Sequence, residues 1–295
     1  MTTYSNSSDT TRVSSWRLLA RNPITLISAV TLVLVAVVAL TANWIAPYGV
    51  NDVEVPNALQ PPGGSHWFGT DELGRDVLSR VLVAMQASMR IAVVSVTFAV
   101  VVGVAVGVVS GYRGGWLDAV LMRVVDVMFA FPVLLLALAI VAILGPGVTT
   151  TMLAIGIVFT PIFARVARAS ALSVRTEPYV AASRAMGTGD LYILRRHILP
   201  NISGPLIVQT SLSLAFAILA EAALSFLGLG IQPPEPSLGR MIFDSQGFAT
   251  MAWWMAVFPG AAIFLIVLAF NLFGDGLRDV LDPKQRTTIE ARRQQ

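Results

Sequence analysis

One carboxylate, Glu221, stands inside an otherwise apolar run, flanked by Ala220, Ala222 and Ala223. A carboxylate in such a run is costly in lipid, so by default it faces a cavity or a partner. Two roles are open to it. It could line a solute pathway and meet a peptide amino group, or it could make a structural hydrogen bond between subunits. Other chemistry is scarce. The absence of cysteine excludes a thiol nucleophile, a disulfide framework and a cysteine-bound metal. The two histidines, His66 and His197, have no second ligand at metal spacing, so no metal site is expected. No Gly-x-Ser-x-Gly signature occurs, and no residue is assigned a catalytic role. The only lysine, Lys284, lies between Pro283 and Gln285, so the Gly-Lys-Ser/Thr of a nucleotide-binding loop is missing.

The elements that position these residues follow from composition. The chain is 55% hydrophobic and 13% charged, with a mean hydropathy of +0.73. Soluble domains carry roughly 25% charged residues, so a soluble enzyme is excluded. A bilayer crossing needs about 20 largely apolar residues, and six windows meet that need, at about 23–46, 91–112, 127–144, 148–164, 204–228 and 251–273. The third and fourth share one uncharged run from Val127 to Ala164, divided by the turn signature Gly145-Pro146-Gly147. The first window follows the polar segment 1–22 and is too long for the core of a signal peptide, so it reads as an uncleaved anchor. Together these predict an all-α polytopic membrane protein, with a transmembrane domain over 23–283 and a polar tail over 284–295.

Charge fixes the expected orientation. Of the 20 Lys and Arg residues, only Arg75, Arg80, Arg90 and Arg240 fall in loops on one side, and the other 16 fall on the opposite side. The positive-inside rule then places both termini in the cytoplasm. The basic sequence pI of 9.7 is thus a topology signal, and no nucleic-acid partner is expected.

Two soluble stretches have work to do. In the outside loop 47–89, Thr70 followed by Asp71 and Glu72 predicts a helix start. Trp67 and Phe68 suit an interfacial helix, while Asp71, Arg75 and Asp76 suit a docking surface for an extracytoplasmic partner. In the cytoplasmic loop 165–203, Ala181, Ala182 and Ala185 suit a short helix, and Gly187-Thr188-Gly189 suits a sharp turn. Asp190 can then cap a second short helix ending at Pro200. Such a pair forms a lobe projecting from the membrane. In the second span, Gly103, Gly107 and Gly111 form a small-residue ridge for close helix contact.

The segment Glu177-Pro178-Tyr179-Val180-Ala181-Ala182-Ser183-Arg184-Ala185-Met186-Gly187, with Leu199-Pro200 behind it, resembles the cytoplasmic "EAA" loop of permease subunits in bacterial ABC importers. Ala182, Gly187, Leu199 and Pro200 match that motif. Ala181 stands where the family has Glu, Ser183 replaces its second Ala, and Glu177 is the acidic residue one turn earlier. Gly69-Thr70-Asp71 with Gly74-Arg75-Asp76, Leu224 to Pro234, Asp126 with Phe131-Pro132, and Gly274 to Asp279 with Asp282-Pro283 resemble the dipeptide/oligopeptide branch, C-type permease subunit. The likeness runs from about residue 15 to residue 285.

The resemblance implies a type I ABC importer permease fold and a chain that carries peptides without enzymatic chemistry of its own. Its implied partners are a second homologous permease subunit, two ATP-binding cassette ATPases that hold ATP and Mg, and an extracytoplasmic substrate-binding protein. The chain itself would bind no cofactor. Glu177, Ala181, Ala182, Ser183, Arg184, Gly187, Asp190, His197 and Pro200 would couple it to the ATPases during alternating access. The competing reading is a proton-coupled secondary transporter in which Glu221 carries the proton, a design for which inverted repeats are expected and none is evident.

Overall fold

The computed structural model describes residues 23–281; the expected segments 1–22 and 284–295 lie outside them. All regular structure among the described residues is helical. Helix α1 spans Pro23–Ile45, α2 Val77–Arg113, α3 Gly115–Phe129, α4 Val133–Leu144 and α5 Val148–Val174. Helix α6 spans Pro178–Ala185, α7 Asp190–Ile193, α8 Leu199–Phe226, α9 Leu238–Asp244 and α10 Trp254–Leu281. Helices α1, α2, α5, α8 and α10 are each long and apolar enough to cross a bilayer, and the pair α3 and α4, bent by 90°, supplies a sixth passage. The loops gather at two ends. By the charge bias, the end bearing residues 165–203 is the inner end and the end bearing 46–76 and 227–253 is the outer one.

Several helices overrun the windows that hydropathy sets. Helix α2 begins at Val77, not near 91, because Asp76 caps it by accepting from the Ser79 backbone N–H at 2.8 Å. Arg80 then sits inside the helix at no penalty to its continuity: its guanidinium donates to the Val50 carbonyl at 2.9 Å and lies 3.6 Å from Asp71. Helix α5 runs ten residues past 164 for the same reason, since Arg165 and Arg168 both find aspartate partners on α3. The window 127–144 is not one helix. Phe131-Pro132 interrupts it, and proline both lacks an N–H and biases the residue before it away from helix.

The second helix of the inner lobe also differs from expectation. It does not end at Pro200 but passes from α7 through a π turn, Leu194–Ile198, straight into α8. Pro200 falls in the first turn of α8, where a missing N–H is tolerated.

Helices α2 and α5 form the centre of the bundle. Gly103, Gly107 and Gly111 face α5 so closely that a Cβ at Gly107 would stand 2.2 Å from the Ala164 carbonyl oxygen. Only hydrogen fits there, so the ridge sets the helix separation by backbone packing, which holds helices together in lipid. The main core gathers Ile91, Ile155, Phe163, Ile218, Leu224 and Ile266 around this crossing. A second core of Val108, Tyr112, Ala167, Ala171, Val180, Ile193, Ile198 and Ile202 lies at the inner end.

Candidate functional site

The inner lobe is built on that second core. Val180 and Ser183 of α6 and Ile193 and Ile198 of the following turns are buried against α2 and α5. Glu177 is the residue before α6, and its carbonyl accepts from the N–H groups of Val180 and Ala181. Gly187 closes the turn at φ +77°, a conformation that a side chain makes costly, and no atom lies within 4 Å of where its Cβ would be. Asp190 accepts from the Tyr112 hydroxyl at 2.7 Å, and the Arg184 guanidinium lies 4.8 Å from the centre of the same ring. Tyr112 thus ties both ends of the lobe turn to α2. On the other side, Ala181, Ala182, Arg184 and Gly187 are exposed, together with Tyr179, Met186, Leu191 and Tyr192. His197 lies between the rings of Tyr179 and Tyr192, at 5.7 and 6.0 Å. Pro200 is exposed at the lobe's exit.

Glu221 occupies the outer part of α8 and is fully buried. Its carboxylate accepts from the hydroxyls of Ser88 on α2 at 2.6 Å, Ser225 on α8 at 2.7 Å and Ser237 at 3.2 Å, just before α9. Ser225 in turn accepts from the Ile231 N–H at 3.2 Å. One carboxylate therefore fastens two membrane helices and both ends of the outer loop 227–237. A pathway or subunit face would be open in a single chain; Glu221 has no open face in this conformation.

The outer loop uses its charges internally. Asp71 and Asp76, expected on a docking surface, are buried, and Arg75 is nearly so. Asp71 accepts from the N–H groups of Leu73 and Arg75, each at 2.9 Å, and pairs with the Arg75 side chain at 2.6 Å. This closes a carboxylate-capped turn where a helix was expected after Thr70. The Thr70 hydroxyl instead donates to the Asn57 carbonyl, and its own carbonyl accepts from the Trp254 indole at 3.0 Å. Phe68 stacks on Phe258 with ring centres 3.9 Å apart, so it is held by α10 and not by an interfacial helix. Asp76 also meets His66 Nδ1 at 2.9 Å. Burial pushes the Glu72 carboxyl above its ordinary range, against the opposing pull of its backbone hydrogen bond.

Residues 103–287 match the family described as binding-protein-dependent transport system inner membrane component. The chain belongs to this family. Residues 12–62 also match the N-terminal transmembrane domain of oligopeptide transport permease C. The dipeptide transport system permease protein of Alkalihalophilus pseudofirmus is 42% identical over 281 residues, covering 94% of this chain and 92% of the relative. A probable D,D-dipeptide transport system permease protein of Escherichia coli K12 is 44% identical over 267 residues, 90% of each chain. The glutathione transport system permease protein of E. coli is 44% identical over 270 residues, covering 91% of this permease and 89% of the relative. The fold also matches a chain of the methionine ABC transporter MetNI, with a TM-score of 0.57 at 20% identity, over 69% of this permease and 96% of that chain.

The permease is therefore a multi-pass inner-membrane component of an ABC importer of the peptide type, and its relatives are transport system permease subunits. Sequence reasoning found the lobe and Glu221 but missed Tyr112 and the serines around Glu221. Ser88 lies 133 residues from Glu221, and no local pattern connects them.

Proposed function

We propose that this permease pairs with a second homologous permease to form the passage of an ATP-driven importer for short peptides. The observation that carries this reading is the division of the inner lobe into two sides. One side is packed on α2, α5 and the start of α8, and the other presents Tyr179, Met186, Leu191 and Tyr192 around the exposed small residues Ala181, Ala182 and Gly187. An apolar patch on a projecting, well-packed lobe is the expected seat of a protein partner. Here the partner is one of two separate ATPases that hold ATP and Mg. Glu177, Ser183, Arg184, Asp190, His197 and Pro200 shape that seat, and the π turn carries its movement into α8. ATPase closure then drives alternating access, with cargo delivered from outside by a substrate-binding protein. Peptide is favoured as cargo because the relatives are permeases of dipeptide, D,D-dipeptide and glutathione transport systems.

Uptake of labelled dipeptide into sealed vesicles containing the assembled importer tests this reading. Uptake should require ATP and the binding protein and survive an uncoupler. Uptake that stops with the uncoupler and ignores ATP would instead favour a proton-coupled carrier, a reading that the enclosed position of Glu221 does not favour.

A further inference from the structure

Helix α3 takes no part in the inner lobe or the Glu221 cage, and it is attached to the bundle in an unusual way. Val125 is its only buried side chain. Its attachment is ionic. Asp118 receives both arms of the Arg168 guanidinium at 2.6 and 2.7 Å, as well as the Ser110 hydroxyl. Asp126 pairs with Arg165 at 2.8 Å, and the same guanidinium lies 3.8 Å from the centre of the Phe129 ring.

The direction of α3 follows from the bend after it. Helix α4 packs on α5, and α3 is turned from α4 by 90°, so it runs across the bundle. Its two aspartates, about 12 Å apart along the helix, reach arginines about 4.5 Å apart along α5. The depth of the crossing follows from length. Helix α5 has 27 residues, about 40 Å. A hydrocarbon layer of about 30 Å occupies roughly 20 of them counted from the outer hairpin, so Arg165 and Arg168 lie at its inner boundary.

The exposed surface of α3 fits that depth. Trp116, Val120, Val124 and Val127 are 77, 52, 57 and 56% exposed. Their spacing of four, four and three residues makes one stripe along the helix, opposite Val125. Beside the stripe lies an edge of Ala119 and the charged Arg123 and Asp126, all exposed. Arg123, and Arg113 at the corner before α3, have no ion-pair partner among the described residues.

We propose that α3 is an interfacial helix lying along the inner membrane surface. Its stripe is seated in the acyl-chain layer of the inner leaflet, and its polar edge meets headgroups and water. An apolar face with a tryptophan at its start, beside a charged edge, is the pattern of a helix lying in the interface plane. The phosphates of the headgroup layer supply counter-charge for Arg113 and Arg123. A flat protein interface would bury Arg123 beside the stripe with no partner in this chain. The third passage is then completed mainly by α4, and movements of α5 are passed to α3 through Arg165 and Arg168.

The lack of native cysteine makes the test direct. Val120→Cys, Val124→Cys and Val127→Cys probe the stripe, and Ala119→Cys and Arg123→Cys probe the edge, each in the full importer in lipid. Stripe cysteines should resist a membrane-impermeant maleimide. Carrying a small fluorophore, they should lose at least half their emission in phospholipid brominated near the headgroup end of the acyl chains. Edge cysteines should label from the inner side and show little bromolipid quenching. Stripe positions that stay bright in brominated lipid, or that cross-link to another importer chain, would overturn the proposal in favour of a subunit interface. Labelling of the stripe from water would overturn it as well.

Discussion

Replacing Glu221 separates a hydrogen-bond hub from a proton carrier. In Glu221→Gln, the amide oxygen can keep the hydroxyls of Ser225 and Ser237, and the amide nitrogen can face Ser88. A serine hydroxyl both donates and accepts, so Ser88 can turn its proton to its own helix and accept from the amide. All three contacts survive, and the cost should be about 1 kcal/mol or less. In Glu221→Ala all three are lost, at about 1 kcal/mol net each, or about 3 kcal/mol together. Ser88 and Ser225 can turn to a carbonyl one helical turn back, but Ser237 precedes α9 and has no such turn behind it. Its stranded hydroxyl raises the cost further. The assay is ATP-driven dipeptide uptake, alongside the temperature at which the detergent-extracted importer loses monodispersity. Gln should keep at least half of wild-type uptake with an almost unchanged melting temperature, and Ala should melt earlier. A Gln variant that assembles and melts like wild type yet carries nothing would refute the reasoning, because only loss of the titrating carboxylate would then explain the defect.

Gly187→Val should leave the permease in the membrane at near wild-type amount but abolish uptake. The φ of +77° costs a side chain about 1–2 kcal/mol, or more when it is β-branched, while the open space around it avoids any clash; Gly187→Asn, which tolerates that conformation, should retain uptake. Gly107→Leu should instead reduce the amount of folded permease, because the α2–α5 backbone contact must open at a cost of about 1–3 kcal/mol or more, and immunoblotting of membranes reads this directly. Asp76→Ala removes the cap on α2 and the contact with His66, a loss of about 1–2 kcal/mol, and should make loop 46–76 more sensitive to protease added from outside.

The passages were legible because the bilayer imposes a length on apolar segments, and Pro23–Ile45 starts where the window does and ends one residue sooner. Boundaries set by charge were less legible. Hydropathy windows stop at Arg90 and Arg165, but the helices run past them, with Arg80, Arg165 and Arg168 each paired to an aspartate. The break at Phe131-Pro132 carried a signal, proline, that the uncharged run concealed. The lobe was legible from Gly187 and its flanking alanines, but the passage of the chain through Pro200 depends on the π turn, which has no local signature. Glu221 was conspicuous as a lone charge, whereas its enclosure depends on Ser88 and Ser237, brought in from other elements. The charges of Asp71, Arg75 and Asp76 suggested a surface because sequence shows charge and not burial.

The central claim is that the inner lobe seats a separate ATPase, and a cross-link tests it most directly. Leu191→Cys places one thiol on the exposed side of the lobe in a chain with no other cysteine. With a short bifunctional reagent acting on the importer purified from its own membrane, this thiol should be joined to a chain carrying a nucleotide-binding loop. A thiol that joins no such chain, and stays fully open to maleimide with ATP bound to the intact importer, would contradict the account.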